Sequence, residues 1–357
     1  MRKKAVLVLG VLGLALILGG CSSSATQDTL QPKGIYAQQA KDLFVPVFWV
    51  ATGVFVIVEG GIVYLVIRYR HRKGRDRMPP QVHGNTRLEI GWTIVPAIIL
   101  LVVTIPTVAG IWGLARQPAG AMHVQVTGRQ WWWRFEYLGD EMQTATGAQI
   151  VTANELVIPA GETVVLDVTA DAGLGSMDDE DYPGQAVIHS FWIPELAGAQ
   201  DAVPGRVTHI LMEADEPGIY EGQCKEYCGL SHGLMRTEVH AMAPDDFVAW
   251  VEQQKRDAAI PVPGSLEKLG LELFQGFCIR CHAIQGVPNA TVDAGPNLTH
   301  FSGRDCFAGC LLDNQDPEDI ARWIDDPKSV KPGAKMPAYD LSPEDIQALV
   351  AYLMSLE

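Results

Sequence analysis

The sequence predicts a membrane protein of three unlike parts: a two-helix transmembrane hairpin, an all-β domain and a small all-α domain. Three observations predict it. Two apolar runs, Phe44 to Ile67 and Ile90 to Leu114, each exceed the roughly 20 residues a helix needs to cross the hydrocarbon core. From Met122 to about Ala243, short β-rich runs alternate with turns. Beyond a proline-punctuated stretch, the last segment carries Cys278-Ile279-Arg280-Cys281-His282. At 357 residues, 48% hydrophobic, 19% charged and with a net charge of −15, the chain is too long for one small domain. The same figures exclude disorder and nucleic-acid binding as its business.

The chain starts Met1-Arg2-Lys3-Lys4, runs apolar from Ala5 to Leu18 and reaches Gly19-Gly20-Cys21. A charged start, a short apolar stretch and small residues describe an export signal over residues 1–20, not a span. Two readings of its end stay open: an ordinary signal peptide with an incidental cysteine, or, because Leu18-Gly19-Gly20-Cys21 resembles a bacterial lipobox, a lipid anchor at Cys21. Residues 21–115 then hold the hairpin, with spans at about 44–67 and 90–114. Between the spans, residues 68–89 carry seven Arg or Lys and two acids. Such a short basic connection stays in the cytoplasm, so everything after Leu114 lies on the outer face of the cell membrane. Pro96 and Pro106 are tolerable in a span because neighbouring groups can satisfy the freed carbonyls. Gly60-Gly61 is expected to permit close helix packing. Glu59 is deep enough to need a protein partner or a proton, which implies a larger membrane subunit. Glu89 borders the second span, where contact with water accounts for it.

Residues 116–250 hold six basic and twenty-one acidic residues and make the β domain. Its loop Cys224-Lys225-Glu226-Tyr227-Cys228-Gly229-Leu230-Ser231-His232-Gly233-Leu234-Met235 is joined by a distant His189. One thiolate, two imidazoles and a thioether would suit a mononuclear blue-copper site. A second thiolate four residues away lets the pair bridge two ions, with one His for each and Met235 and a backbone carbonyl as weak outer ligands. Soft thiolates with imidazoles favour copper, so a dinuclear copper centre for electron transfer is expected. A Cys224–Cys228 disulfide and a zinc site are the competing readings. His123, His209 and His240 are read as surface or core histidines.

Residues 251–264 read as a semi-rigid linker through Ala258-Ala259-Ile260-Pro261-Val262-Pro263-Gly264. In the final domain, residues 265–357, Cys-x-x-Cys-His is the pattern that attaches haem c: Cys278 and Cys281 bond to the vinyl groups and His282 binds iron. A methionine is expected opposite, since His/Met ligation suits electron transfer. Met336 in Lys335-Met336-Pro337 is the choice, while Met354 is assigned to the core of a final helix that starts at the capped Ser342-Pro343-Glu344-Asp345. Cys306 and Cys310 have no counterpart in the haem pattern; a disulfide in an oxidising compartment is one reading of the pair, and free thiols or an extra metal site are the others.

The hairpin and β domain together resemble subunit II of haem-copper cytochrome c oxidases, and the whole chain resembles the fused subunit II of the caa3 type. The resemblance implies a cupredoxin-like Greek-key domain holding the mixed-valence centre CuA, and a class I cytochrome c domain. It implies His189, Cys224, Cys228, His232 and Met235 as side-chain copper ligands and Glu226 as a ligand through its main-chain carbonyl. The Glu226 side chain would help form a magnesium site facing subunit I. Trp131, first of Trp131-Trp132-Trp133, is by this resemblance where electrons enter, and Glu89 in Leu88-Glu89-Ile90-Gly91-Trp92 marks the mouth of a proton channel. Gly295-Pro296-Asn297-Leu298 resembles the haem-edge turn. Ala186 departs from the pattern, standing where many relatives have an acid. Partners implied are subunit I, subunit III and an upstream donor such as a quinol-oxidising complex or a small cytochrome c. Subunit I would reduce oxygen to water with proton translocation. A nitric oxide reductase subunit and a free-standing electron carrier remain as other readings.

Overall fold

The computed structural model describes residues 25–70, 81, 83–171 and 186–357. The expected export signal with Cys21, the basic residues between 71 and 80, and the acidic run 178–181 lie outside the described residues. Helix α1, Ile35–Tyr69, and helix α2, Thr86–Leu114, form the hairpin and both exceed the apolar runs that announced them. The extra turns of α1 grip the β domain: Lys33 N–H donates to the Glu195 carbonyl at 2.7 Å and Ala37 N–H to the Leu196 carbonyl at 3.1 Å. Tyr36 shares a 3.1 Å hydroxyl contact with Thr163. At Gly34 any Cβ would run into the Glu213 carbonyl, so glycine is required for this close approach. Pro46, Pro96 and Pro106 all lie inside helices. Thr52, Thr93, Thr104 and Thr107 each turn their hydroxyls onto the carbonyl four residues back, which satisfies them without water. The expectation for Gly60 and Gly61 is not met within the chain. A Cβ at either position would touch nothing within 4 Å, so these glycines do not bring α1 and α2 together.

The β domain is a pair of five-stranded sheets. Strands β1 (Met122–Arg129), β2 (Trp132–Leu138), β3 (Val151–Ala153), β5 (Val164–Ala170) and β8 (Thr208–Met212) make one, in the order β3-β2-β1-β5-β8. The other contains β4 (Glu155–Pro159), β6 (His189–Trp192), β7 (Ala199–Ala202), β9 (Gly218–Cys224) and β10 (Arg236–Met242), in the order β4-β10-β9-β6-β7. β1 runs parallel to β5 and β4 parallel to β10; the other pairings are antiparallel. The alternation of β2 places Trp133, Phe135 and Tyr137 fully inside and leaves Trp132 half-buried under the Arg129 guanidinium. Helix α3, Pro244–Gln254, closes one end with Phe247 and Val251 and so runs into the first residues of the stretch read as linker.

In the C-terminal domain, α4 (Leu266–Phe277) crosses α7 (Pro343–Met354) where Gly270 meets the Ala348 backbone with no room for a Cβ. Helices α5 (Pro317–Asp325) and α6 (Pro327–Val330) complete the helical set. A minimal hairpin of β11 (Cys306–Phe307) and β12 (Leu312–Asp313) interrupts it, closed by a Cys306–Cys310 disulfide. Ser342 and Asp345 form the expected capping box, and Met354 packs against the core.

Buried Tyr137 uses its hydroxyl twice, donating to the Val157 carbonyl at 2.9 Å and accepting from the Val157 N–H at 2.8 Å. Tyr137→Phe leaves both backbone groups unpaired in the core and should destabilise the β domain by about 2 kcal/mol, read as a lower denaturation midpoint of the intact chain.

Candidate functional site

Three pieces of backbone converge at the thiol pair. β6 delivers His189, β9 ends on Cys224, and the following loop returns through a single 3-10 turn, His232–Leu234, to β10. The loop is pinned at both ends: Cys224 N–H donates to the Met235 carbonyl at 3.0 Å and Lys225 N–H to the Ser190 carbonyl at 2.9 Å. The result is a chain of soft donors. His189 Nδ1 lies 3.8 Å from Cys224 Sγ, which lies 3.8 Å from Cys228 Sγ. Cys228 Sγ is in turn 3.6 Å from His232 Nδ1 and 3.8 Å from Met235 Sδ. The Glu226 carbonyl is 3.2 Å from Cys224 Sγ, while its side chain is exposed. His189, Cys224, Cys228 and Met235 are buried.

These donors fit a metal pair. A sulfur separation of 3.8 Å is far beyond a disulfide bond and leaves both thiols able to bridge, one imidazole flanking each. The interaction with Cys228 pulls the Cys224 thiol well below its ordinary range, with His189 assisting against burial. Facing that thiolate in a buried place, the Cys228 thiol is pushed up. Two sulfurs that cannot both ionise without a compensating charge are a binding site for cations that supply it.

The second site lies at the end of α4. Cys281 N–H closes a tight turn onto the Cys278 carbonyl at 3.1 Å, so the two unpaired thiols sit one turn apart. Burial, then the neighbouring Cys281, pushes the Cys278 thiol up to about 11. His282 Nδ1 is held by the Pro296 carbonyl at 2.8 Å, which leaves Nε2 for a metal. The turn predicted to edge a haem does border this motif: Gly295 N–H donates to the Cys281 carbonyl at 2.7 Å, and a Cβ on Gly295 would sit 2.7 Å from the imidazole. Burial holds the His282 imidazole below the ordinary histidine range, the direction that keeps it an unprotonated ligand. This donor set fits haem c. Met336 is half-buried on the segment between α6 and α7. Glu89, at the far end of the chain, accepts from Asn85 N–H at 3.3 Å and so helps cap α2.

Three family models match along the chain: "Cytochrome C oxidase subunit II, transmembrane domain" over residues 25–109, "Cytochrome C oxidase subunit II, periplasmic domain" over 122–242, and "Cytochrome c" over 267–357. Cytochrome c oxidase subunit 2 of Alkalihalophilus pseudofirmus is 38% identical over 352 residues, covering 96% of this chain and 95% of that relative. The chain belongs to the cytochrome c oxidase subunit II family. The protein of the same description from Bacillus sp. strain PS3 is 34% identical, covering 96% and 95%. Quinol oxidase subunit 2 of Bacillus anthracis is 32% identical, covering 69% of this chain and 79% of the relative. This subunit is thus part of an oxidoreductase complex in respiratory electron transport, membrane-anchored with an extracellular β domain of cupredoxin type and a cytochrome c domain. Membership implies subunit I of the haem-copper oxidase as its partner.

The two soluble domains of this subunit II meet through polar groups. Asp293 of the cytochrome c domain takes the Arg134 guanidinium at 2.8 Å and also meets Arg129. Glu155, buried at the start of β4, accepts from Asp305 N–H at 2.6 Å and Cys306 N–H at 2.7 Å through the same oxygen. His240 is neither a core nor a surface histidine: it lies at this boundary, 3.2 Å from Glu238 and 3.8 Å from Asp305. Single residues of ordinary type, such as Glu155 on β4 and Asp293 in a loop, carried no sequence signal of this role. His123 and His209 share Asp167.

Burial raises the Glu155 pKa from 4.5 to about 7, with His240 opposing. His240 is raised above its ordinary value: burial opposes this, but the hydrogen bond to Glu238 and the charges of Glu155 and Asp305 outweigh it. Both folded-state groups hold their protons more tightly than the unfolded chain does. Their contribution is therefore full at low pH and is lost as pH rises, for Glu155 between about 4.5 and about 7. Thermal stability of the intact subunit should fall across that window, and Glu155→Gln, which mimics the protonated acid, should flatten the dependence.

Proposed function

We propose that this chain is the electron-accepting subunit of a haem-copper oxidase, passing electrons from its covalently bound haem c to a dinuclear CuA centre and on to haem in subunit I, where oxygen is reduced to water and protons are translocated. The observation that carries the reading is the thiol pair 3.8 Å apart, flanked by His189 and His232, in a chain that also holds an unpaired Cys-x-x-Cys-His. When bound, the copper pair and the haem supply one-electron redox chemistry at potentials tuned by their ligands.

The chain's own residues do the rest. Cys224, Cys228, His189, His232 and Met235, with the Glu226 carbonyl, would hold the copper pair. The exposed Glu226 side chain is free to join a magnesium site against subunit I. Cys278, Cys281 and His282 would hold the haem, and Met336 would supply its methionine ligand. Trp131 donates its indole N–H to the Cys228 carbonyl at 3.0 Å, which ties the ring where electrons enter to a bridging cysteine by one hydrogen bond. Gln130 donates to the same carbonyl at 2.8 Å. Glu89, at the cytoplasmic start of α2, marks the proton-channel mouth, and Glu59 faces subunit I. Lipid attachment at Cys21, a two-span topology in the bacterial plasma membrane, subunit III and a donor that is either a quinol-oxidising complex or a small cytochrome c complete the proposal. A directly quinol-oxidising role, prompted by the Bacillus anthracis relative, leaves Cys278, Cys281 and His282 without a task.

Cys224→Ser should abolish the copper absorption while the haem spectrum persists. Met336→Ala should impair oxidation of the donor by about tenfold or more and leave the copper spectrum intact. Optical spectra and stopped-flow oxidation of the purified complex check both. Oxygen uptake, set against nitric oxide consumption by the same preparation, decides the final acceptor.

A further inference from the structure

The ring of Trp131 is enclosed by backbone from two domains. On one side stands Gly229 of the copper loop, where a Cβ would come within 3.0 Å of the indole; on the other stands Gly333 of the cytochrome c domain, where it would come within 2.7 Å. Both glycines have positive φ, +115° and +77°. The main chain of Trp131 is engaged as well. Lys331, 4% exposed, donates through Nζ to the Trp131 carbonyl at 2.5 Å and to the Ala308 carbonyl of its own domain at 2.8 Å. Between them, the Pro332 carbonyl accepts from the Ser231 hydroxyl at 2.5 Å. Ring, indole N–H and carbonyl of one residue are therefore all committed, and Trp131 is only 7% exposed.

We propose that Lys331, Pro332 and Gly333 form a docking lock that holds the cytochrome c domain on Trp131 in a single arrangement and closes that tryptophan to any external redox partner, so that an outside donor must deliver to the cytochrome c domain. This rests on the proposed electron route but names what positions it. The lock sits three residues before Met336, so the segment carrying the axial ligand is also the segment touching the tryptophan. Burying an ammonium is expensive unless its hydrogen bonds are made. One of its two acceptors belongs to the other domain, so a docked pose shifted enough to lose the Trp131 carbonyl leaves the buried ammonium short of a partner. The charges around it act in the same sense. The β domain has few cations, and two of them, Arg129 and Arg134, paired with Asp171 and Glu136 in their own domain, also reach Asp293, which offsets part of the repulsion between two acidic domains. The short linker keeps the partner at high local concentration, so the lock has to specify geometry more than supply affinity. Lys331 is a positioning residue, acting through Trp131.

The amides of Asp305 and Cys306 donate across the boundary to Glu155, and their hydrogen exchange reports docking directly. In the purified complex, Lys331→Met and, independently, Asp293→Lys should speed exchange of the peptide containing these amides by about tenfold while amides of α4 and α7 stay protected. Haem and copper spectra should be unchanged, and electron transfer from photoreduced haem to copper should slow by about a hundredfold in Lys331→Met. Fast exchange of Asp305 and Cys306 in the unmodified complex, or no change in either variant, would overturn the lock. Slow exchange that the variants do release, together with no electron transfer between the two centres even in the unmodified complex, would uphold the lock and refute the proposed electron route.

Discussion

Two buried sulfur atoms 3.8 Å apart in one loop are the constraint around which the rest of the chain is arranged. The two cannot both ionise without a compensating charge, and the proposed metal site needs both pointing inward at fixed distance. The surrounding backbone meets that demand. The loop is closed by the Cys224 to Met235 and Lys225 to Ser190 hydrogen bonds, and the Cys228 carbonyl is gripped by both Gln130 and Trp131. The core rings Trp133 and Phe191 pack edge to face behind His189, so that its imidazole has little freedom. Preorganised ligands of this kind let charge come and go with little rearrangement.

On the proposed electron route, rigidity at the thiol pair is useful only if the electron source is held equally well, and the chain meets the electrostatic difficulty with a handful of specific groups. Net charges of one sign on both soluble domains give a diffuse repulsion, strong at long range and screened by salt. Against it stand short contacts in partly buried places: Asp293 with two arginines, Glu155 with two backbone amides, and the buried ammonium of Lys331 with two carbonyls. Such contacts contribute modestly to affinity but depend steeply on geometry, which is what a tethered pair needs. The Cys306–Cys310 loop gains a second meaning in this light, since Cys306 and Ala308 both hydrogen-bond at the boundary.

The membrane hairpin enters the same scheme mechanically. Because α1 starts on the β domain through Lys33, Gly34, Tyr36 and Ala37 and only then becomes apolar, the copper loop is tied to the membrane by a continuous helix and not by a slack connection.

Much of this was legible in the residues themselves. Apolar run length announces a span, alternation announces a strand, and Cys-x-x-Cys-His or two cysteines four apart announce their chemistry, because each of these signals is local: bond lengths and side-chain periods place the residues relative to one another whatever the rest of the chain does. His189, thirty-five residues from Cys224, was found because imidazoles are scarce and metal chemistry asked for one. Only the tertiary structure decided the rest. That Gly60 and Gly61 are not where the two helices of the hairpin meet, that His240 faces a domain boundary, that a short hairpin interrupts the last domain, and that Lys331, Glu155 and Asp293 join the two soluble domains are facts about surfaces in contact. A lysine or glutamate on a surface reads the same whether it meets water or another domain, because its role comes from the partner group that folding brings within reach.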